Sequence, residues 1–109
     1  MSGVFCYNYY MEPTFEFSSK LWLWSGDDAS SWHFLTIEPK LARQIKQLTE
    51  GPRRGFGAVK VLARIGQTSW QTSIFPTKEG KYFLPVKLSV RKAENLKANK
   101  NVSAIITLI

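Results

Sequence analysis

The sequence predicts a mainly β protein: a small closed or half-closed antiparallel β-barrel with two short helices, in the order ββαβββαβ. Three observations predict it. Apolar residues recur at period two in most runs, as in Phe15, Phe17, Leu21 and Leu23, or Val59, Val61, Ala63 and Ile65. Short turn-forming segments join the runs, one of them only Gly66-Gln67. Neither helical pattern sits as a regular crossover, which argues against a parallel sheet. A chain of 109 residues that is 44% apolar and holds fifteen Phe, Trp and Tyr has the material for one domain with its own core.

Residues 1–13 read as a mobile N-terminal head, although Tyr7, Tyr9 and Tyr10 are also placed to dock on the barrel domain, residues 14–109. Pro13 favours extended geometry in the residue before it and closes the head. Thr14 to Trp24 is the first strand, with Glu16, Ser18 and Lys20 opposite its apolar face. Trp22 and Trp24 fall on that polar face, so both faces are expected to be covered near its end. Ser25 to Ser31 is a turn by its Gly, Asp and Ser content, and Trp32 to Ile37 returns as the antiparallel partner.

Glu38-Pro39 starts a helix, because Pro at the first helical position gives up no hydrogen bond the helix needs. Leu41, Ile45 and Leu48 recur at helical spacing as its inner face, and Gly51-Pro52 stops it after Thr49. Phe56 to Ile65 and Thr68 to Phe75 form a hairpin whose glycine supplies positive φ, with Lys60 and Arg64 outward. Pro76 to Gly80 turns into a short strand, Tyr82 to Leu84, ended by Pro85. Val86 to Leu96 is the second helix, with Val90, Ala93 and Leu96 inward and Lys87, Arg91 and Glu94 outward; Val102, Ala104, Ile106 and Leu108 face the core from the last strand.

The segments W-H-F-L-T-I-E-P at 32–39, R-R-G-F-G-A-V-K-V at 53–61, I-G-Q-T-S-W-Q-T-S-I-F-P at 65–76, Y-F-L-P-V-K at 82–87 and V-R-K-A-E at 90–94 together resemble a bacterial domain-of-unknown-function family. Its members are stand-alone proteins of similar size or are fused to bacteriocin-protection-type domains. The resemblance runs from about Phe15 to Leu108. It implies a double-split β-barrel, similar in architecture to the barrels of small bacterial transcription regulators and antitoxins, and no established activity. One departure is Ala98-Asn99-Lys100-Asn101, where the family pattern has a Gly-Asp turn; asparagine tolerates left-handed geometry, so the turn is expected to survive.

The formal charge of +7 is uneven. Residues 1–52 carry four Lys or Arg against six Asp or Glu, net −2, while residues 53–109 carry eleven against two, net +9. A basic half of this kind suits an anionic partner or is simply a solvated basic surface. With Cys6 as its one cysteine the chain forms no internal disulfide, which fits a reducing cytoplasm. No signal-peptide pattern or membrane-length apolar run is present, so a cytoplasmic protein is expected.

Catalytic and metal constellations are not recognisable. The single histidine, His33, reads as a half-buried strand residue; as a general base it would need an orienting carboxylate, and none is near in sequence. Asp27 and Asp28 lie in a polar turn, and scattered His, Cys and acids offer no ligand spacing. G-F-G at 55–57 leads into a strand, so it is not a phosphate loop; Gly55 and Gly57 read as a bulge or close packing, and no cofactor is implied.

The sharper signal is cationic. Arg53 and Arg54 enter the central strand, and Lys87 and Arg91, four residues apart, share one face of the second helix near its N-terminus. Together they make an anion-binding patch, with Trp32, Trp70, Thr72 and Ser73 at its edge, or else they pair with Glu38, Glu50 or Glu94 as structural salt bridges. The expected function is a non-catalytic module for an anionic small molecule or an acidic protein surface. The alternatives are a nucleic-acid-binding barrel using Lys60, Arg64 and Phe56, and an enzyme with an unfamiliar site at His33.

Overall fold

The structure, a computed structural model, describes residues 13–25, 31–49 and 57–109. Among these residues the chain forms β1 (Thr14–Lys20), β2 (Trp22–Ser25), β3 (Ser31–Ile37), α1 (Pro39–Leu48), β4 (Val59–Ile65), β5 (Thr68–Pro76), β6 (Tyr82–Pro85), α2 (Leu88–Ala93) and β7 (Asn101–Leu108). The strands join in one antiparallel sheet in the order β1-β7-β4-β5-β6-β3-β2, curled into a half-barrel. Of the predicted head, residues 1–13, only Pro13 is described, and its carbonyl accepts from Leu108 N–H at 2.9 Å, so this last residue is held to β7; residues 1–12 lie outside the described residues.

Two strands bend the sheet by changing partners. The run expected as one strand over Thr14 to Trp24 breaks at Leu21, so that β1 pairs with β7 and β2 with β3. Leu21 itself is fully buried; its N–H donates to Lys100 O at 3.0 Å and its carbonyl accepts from Asn99 N–H at 2.6 Å. Asn99 has φ 71°, the left-handed geometry expected of the departing turn. Likewise β5 pairs through Thr68–Ile74 with β4, then through Phe75 and Pro76 with β6. Because the terminal strands β1 and β2 are separated only by Leu21, the sheet's two ends meet at one corner.

The interior follows from alternation. β4 buries Val59, Val61, Ala63 and Ile65 and leaves Lys60, Leu62 and Arg64 exposed, while β7 buries Val102, Ala104, Ile106 and Leu108. Each fully buried Ile, Leu or Val contributes roughly 1.5–3 kcal/mol by leaving water. The β4–β5 turn has Gly66 at φ 61°, as the two-residue connection requires. Gly57 at φ 81° also uses glycine's freedom just before β4, whose first residue is Val59 rather than the expected Phe56; Phe56 and Gly55 lie outside the described residues.

Three packing expectations need correction. In α1 the buried residues are Ala42 and Ile45, while Leu48 in the last turn is 57% exposed. The second helix is shorter than expected, because the Val86 N–H donates to His33 O at 2.9 Å and ties that residue to β3. Its C-terminus closes with Leu96 N–H donating to Arg91 O at 2.9 Å, Asn95 N–H donating to Lys92 O at 3.3 Å and Asn95 at φ 55°, a Schellman end that turns Leu96 onto the core and leaves Ala93 exposed. Finally, the end of the first sequence strand is not covered on both faces: Leu23 is 49% and Trp24 47% exposed. After the break at Leu21 the alternation belongs to a different part of the sheet.

Candidate functional site: a cationic cleft beside an aromatic sheet face

Where β6 hands over to α2, the Val86 bond to β3 leaves a cleft of about 450 Å³. β3 contributes Trp32 and His33, β5 contributes Trp70 and Thr72, and the α2 segment contributes Lys87 and Arg91. Pro85, Val86, Leu88 and Phe75 make the rest largely apolar. Trp70 and Val86 are buried, whereas Lys87 is exposed. Thus five of the predicted residues, Trp32, Trp70, Thr72, Lys87 and Arg91, come together. Ser73 pairs with Lys60 across β4 and β5 and does not line the cleft. Arg53 and Arg54 lie outside the described residues.

Arg91 is the cation that the fold positions. Its Nε donates to Val86 O at 3.1 Å, which fixes the guanidinium against the floor of the cleft. Partial burial there lowers its pKa from the usual value, through desolvation of the charge. A guanidinium keeps its proton regardless, so the effect is a charge less screened by water than one on the open surface. The helix dipole adds little, because α2 has only six residues.

Of the expected carboxylate partners, Glu94 and Glu38 make described contacts, and Glu50 lies outside the described residues. Glu94 Oε2 accepts from Thr68 Oγ1 at 2.6 Å and from Gln67 N–H at 3.3 Å, so this acid staples α2 to the β4–β5 turn. Glu38 lies 3.9 Å from Lys81, both at the surface. His33 is half-buried in the cleft, and its described lining includes no Asp or Glu.

On the outer face of the sheet lies a second feature, absent from the sequence reading. Trp22 stands opposite Phe34 and Trp24 opposite Trp32 across β2 and β3; Phe83 on β6 is opposite Phe75 on β5. Ring centroids are 5.1 Å apart for Trp22–Phe34, 5.0 Å for Trp22–Phe83, 5.7 Å for Phe34–Phe83 and 6.2 Å for the nearly parallel Trp32–Phe34 pair. Trp22 Nε1 donates to Thr36 Oγ1 at 2.9 Å, which holds the innermost ring. Trp22, Trp24, Trp32, Phe34 and Phe83 line a groove of about 480 Å³, and Trp32 lines both groove and cleft. The sequence signal was the spacing of Trp32 and Phe34 opposite the buried Leu35 and Ile37.

These features define a small antiparallel half-barrel protein with a cationic cleft beside an aromatic face. Residues 17–106, from inside β1 to inside β7, match the model of a family described as domain of unknown function DUF1905, and the chain belongs to that family. The match spans the cleft and the aromatic face, and the family description names no activity. Among curated proteins the chain finds no match. No helix among the described residues is long and apolar enough to cross a membrane.

Proposed function

We propose that the protein is a non-catalytic binding module of the bacterial cytoplasm whose cleft takes the anionic group of a small ligand. The observation that carries this reading is Arg91: a guanidinium anchored through Nε to Val86 O, partly desolvated and set in a largely apolar cleft. Such a charge gains more from an anion than one in open water, and guanidinium suits phosphate or carboxylate geometry. Lys87 adds a second charge and Thr72 a hydroxyl donor, while Trp70 offers an apolar wall. A space of about 450 Å³ matches a small molecule better than a protein side chain. The bacterial setting and the R-R-G-F-G and L-P-V-K segments belong to the same reading, with Arg53 and Arg54 as the further cations of the expected patch.

A thermal-shift screen of phosphorylated and carboxylated metabolites tests the proposal. A hit should raise the melting temperature of the parent protein and lose most of that rise in Arg91→Ala. Unchanged melting across the screen would overturn it.

A further inference from the structure

We infer that the aromatic outer face formed by β2, β3, β6 and the end of β5 is a stacking platform for the bases of single-stranded nucleic acid. The rings run across strands rather than along one: Trp22 and Trp24, then Phe34 and Trp32, then Phe83, then Phe75. Four adjacent strands at about 4.8 Å spacing make a row about 14 Å wide. Sheet surfaces of this kind stack two or three bases, since every base presents a flat π face.

The rings are placed for contact rather than for burial. Trp24, Trp32 and Phe75 are 47%, 48% and 44% exposed, on the face of their strands opposite the core. Trp22, Phe34 and Phe83 form the packed base beneath, with Trp22 tied to Thr36.

Charge selects the occupant. The four strands that carry the rings contain no Asp or Glu, and Trp32 joins the platform to the cleft holding Lys87 and Arg91. An aromatic row whose strands carry no acid and which leads into two cations complements a chain of flat bases on a polyanionic backbone, with Asp27 and Asp28 of the β2–β3 connection outside the described residues. For its phosphate contact the inference rests on the anion-binding reading of the cleft; its base contact stands on the aromatic face alone.

The test is a fluorescence-anisotropy titration of the full chain with short single-stranded oligo(dT) and oligo(U), and with inorganic polyphosphate and duplex DNA as competitors, across a salt series. Single strands should bind and outcompete polyphosphate and duplex, with the two oligomers showing whether the sugar matters. Trp24→Ala, which leaves the cleft lining untouched, should weaken binding about tenfold, as loss of one stacked base does. Arg91→Ala should weaken it and reduce the slope of log K against log salt by about 0.7. Circular dichroism of each variant checks that the fold is intact, and Trp24→Phe should restore most of the affinity.

Single-strand binding that ignores Trp24→Ala, or that polyphosphate matches, would overturn the platform and leave the anion cleft standing. No binding of oligonucleotide or polyphosphate at low ionic strength would overturn the platform and count against the cleft as well. A change from oligomer to monomer on Trp24→Ala, without nucleic-acid binding by the parent, would mark the face as a protein interface and overturn the inference.

Discussion

The Thr68 hydroxyl donates to Glu94 Oε2 at 2.6 Å, which pins the end of α2 against the hairpin turn that joins β4 to β5. The same carboxylate closes over Gly66 so tightly that a Cβ built there would collide with both Oε1 and Cδ. Glycine suits this position for its positive φ, and a Cβ there would in addition push the Glu94 carboxylate out of its bond to Thr68. Glu94→Ala should cost about 1.5–3 kcal/mol, the range for hydrogen bonds to a charged group. Gly66→Ala should cost at least the roughly 1–2 kcal/mol of left-handed geometry. In the Glu94→Ala background the same Gly66 change should cost less, because the collision is gone. Chemical denaturation of the four proteins of this double-mutant cycle measures the coupling, and simple additivity would contradict it.

The turn before β7 makes a parallel case without the steric part. Asn99 combines φ 71° with an N–H donated to Leu21 O. Asn99→Ala should destabilise by about 1–2 kcal/mol, while Asn99→Gly should be close to neutral. Equal melting temperatures for the two variants would show that the left-handed geometry carries no cost here.

Core truncations should separate cleanly from surface ones. Ile74 on β5 and Ile106 on β7, on either side of β4, are fully buried, and Ile→Ala at either should cost about 2–5 kcal/mol. Lys60→Ala, on the exposed face of β4, should stay within about 0.5 kcal/mol of the parent. Urea midpoints of the three variants provide the comparison.

Arg91 and Lys87 should differ in what they contribute to anion binding. Arg91→Lys keeps the charge but loses the planar fork and the Nε bond to Val86 O, so a phosphorylated hit should bind about tenfold more weakly. Lys87→Ala removes an exposed point charge, and its smaller effect should vanish at high salt. Isothermal titration at two ionic strengths distinguishes them; identical losses for the two variants would contradict the assignment of Arg91 as the anchored cation.

Much of the barrel could be read from alternation. The buried faces of β4 and β7, the two-residue turn at Gly66 and the Asn99 turn all follow from local rules, because period two and left-handed geometry are properties of a few neighbouring residues. Of the residues expected to form one patch, Lys87, Arg91, Trp32, Trp70 and Thr72 line one cleft, Ser73 does not, and Arg53 and Arg54 lie outside the described residues. There the sequence supplied residue types, and the pairing of β3 with β6 and of β6 with β5 supplied their proximity.

What the sequence by itself determined about this protein is therefore a set of alternating, hairpin-linked strands and a basic C-terminal half. Alternation states which residues share a face, but it does not state which face lies inside. Only the tertiary structure decided that. The break at Leu21 moves Trp22 and Trp24 from the β7 side of the sheet to the β3 side, where Leu35 and Ile37 already fill the core and the tryptophans face outward with Trp32 and Phe34. It decided the length of α2 by spending the Val86 N–H on β3, and that long-range bond opens the cleft in which Arg91 is held. Both outcomes depend on partners far away in the chain, and no local periodicity encodes them.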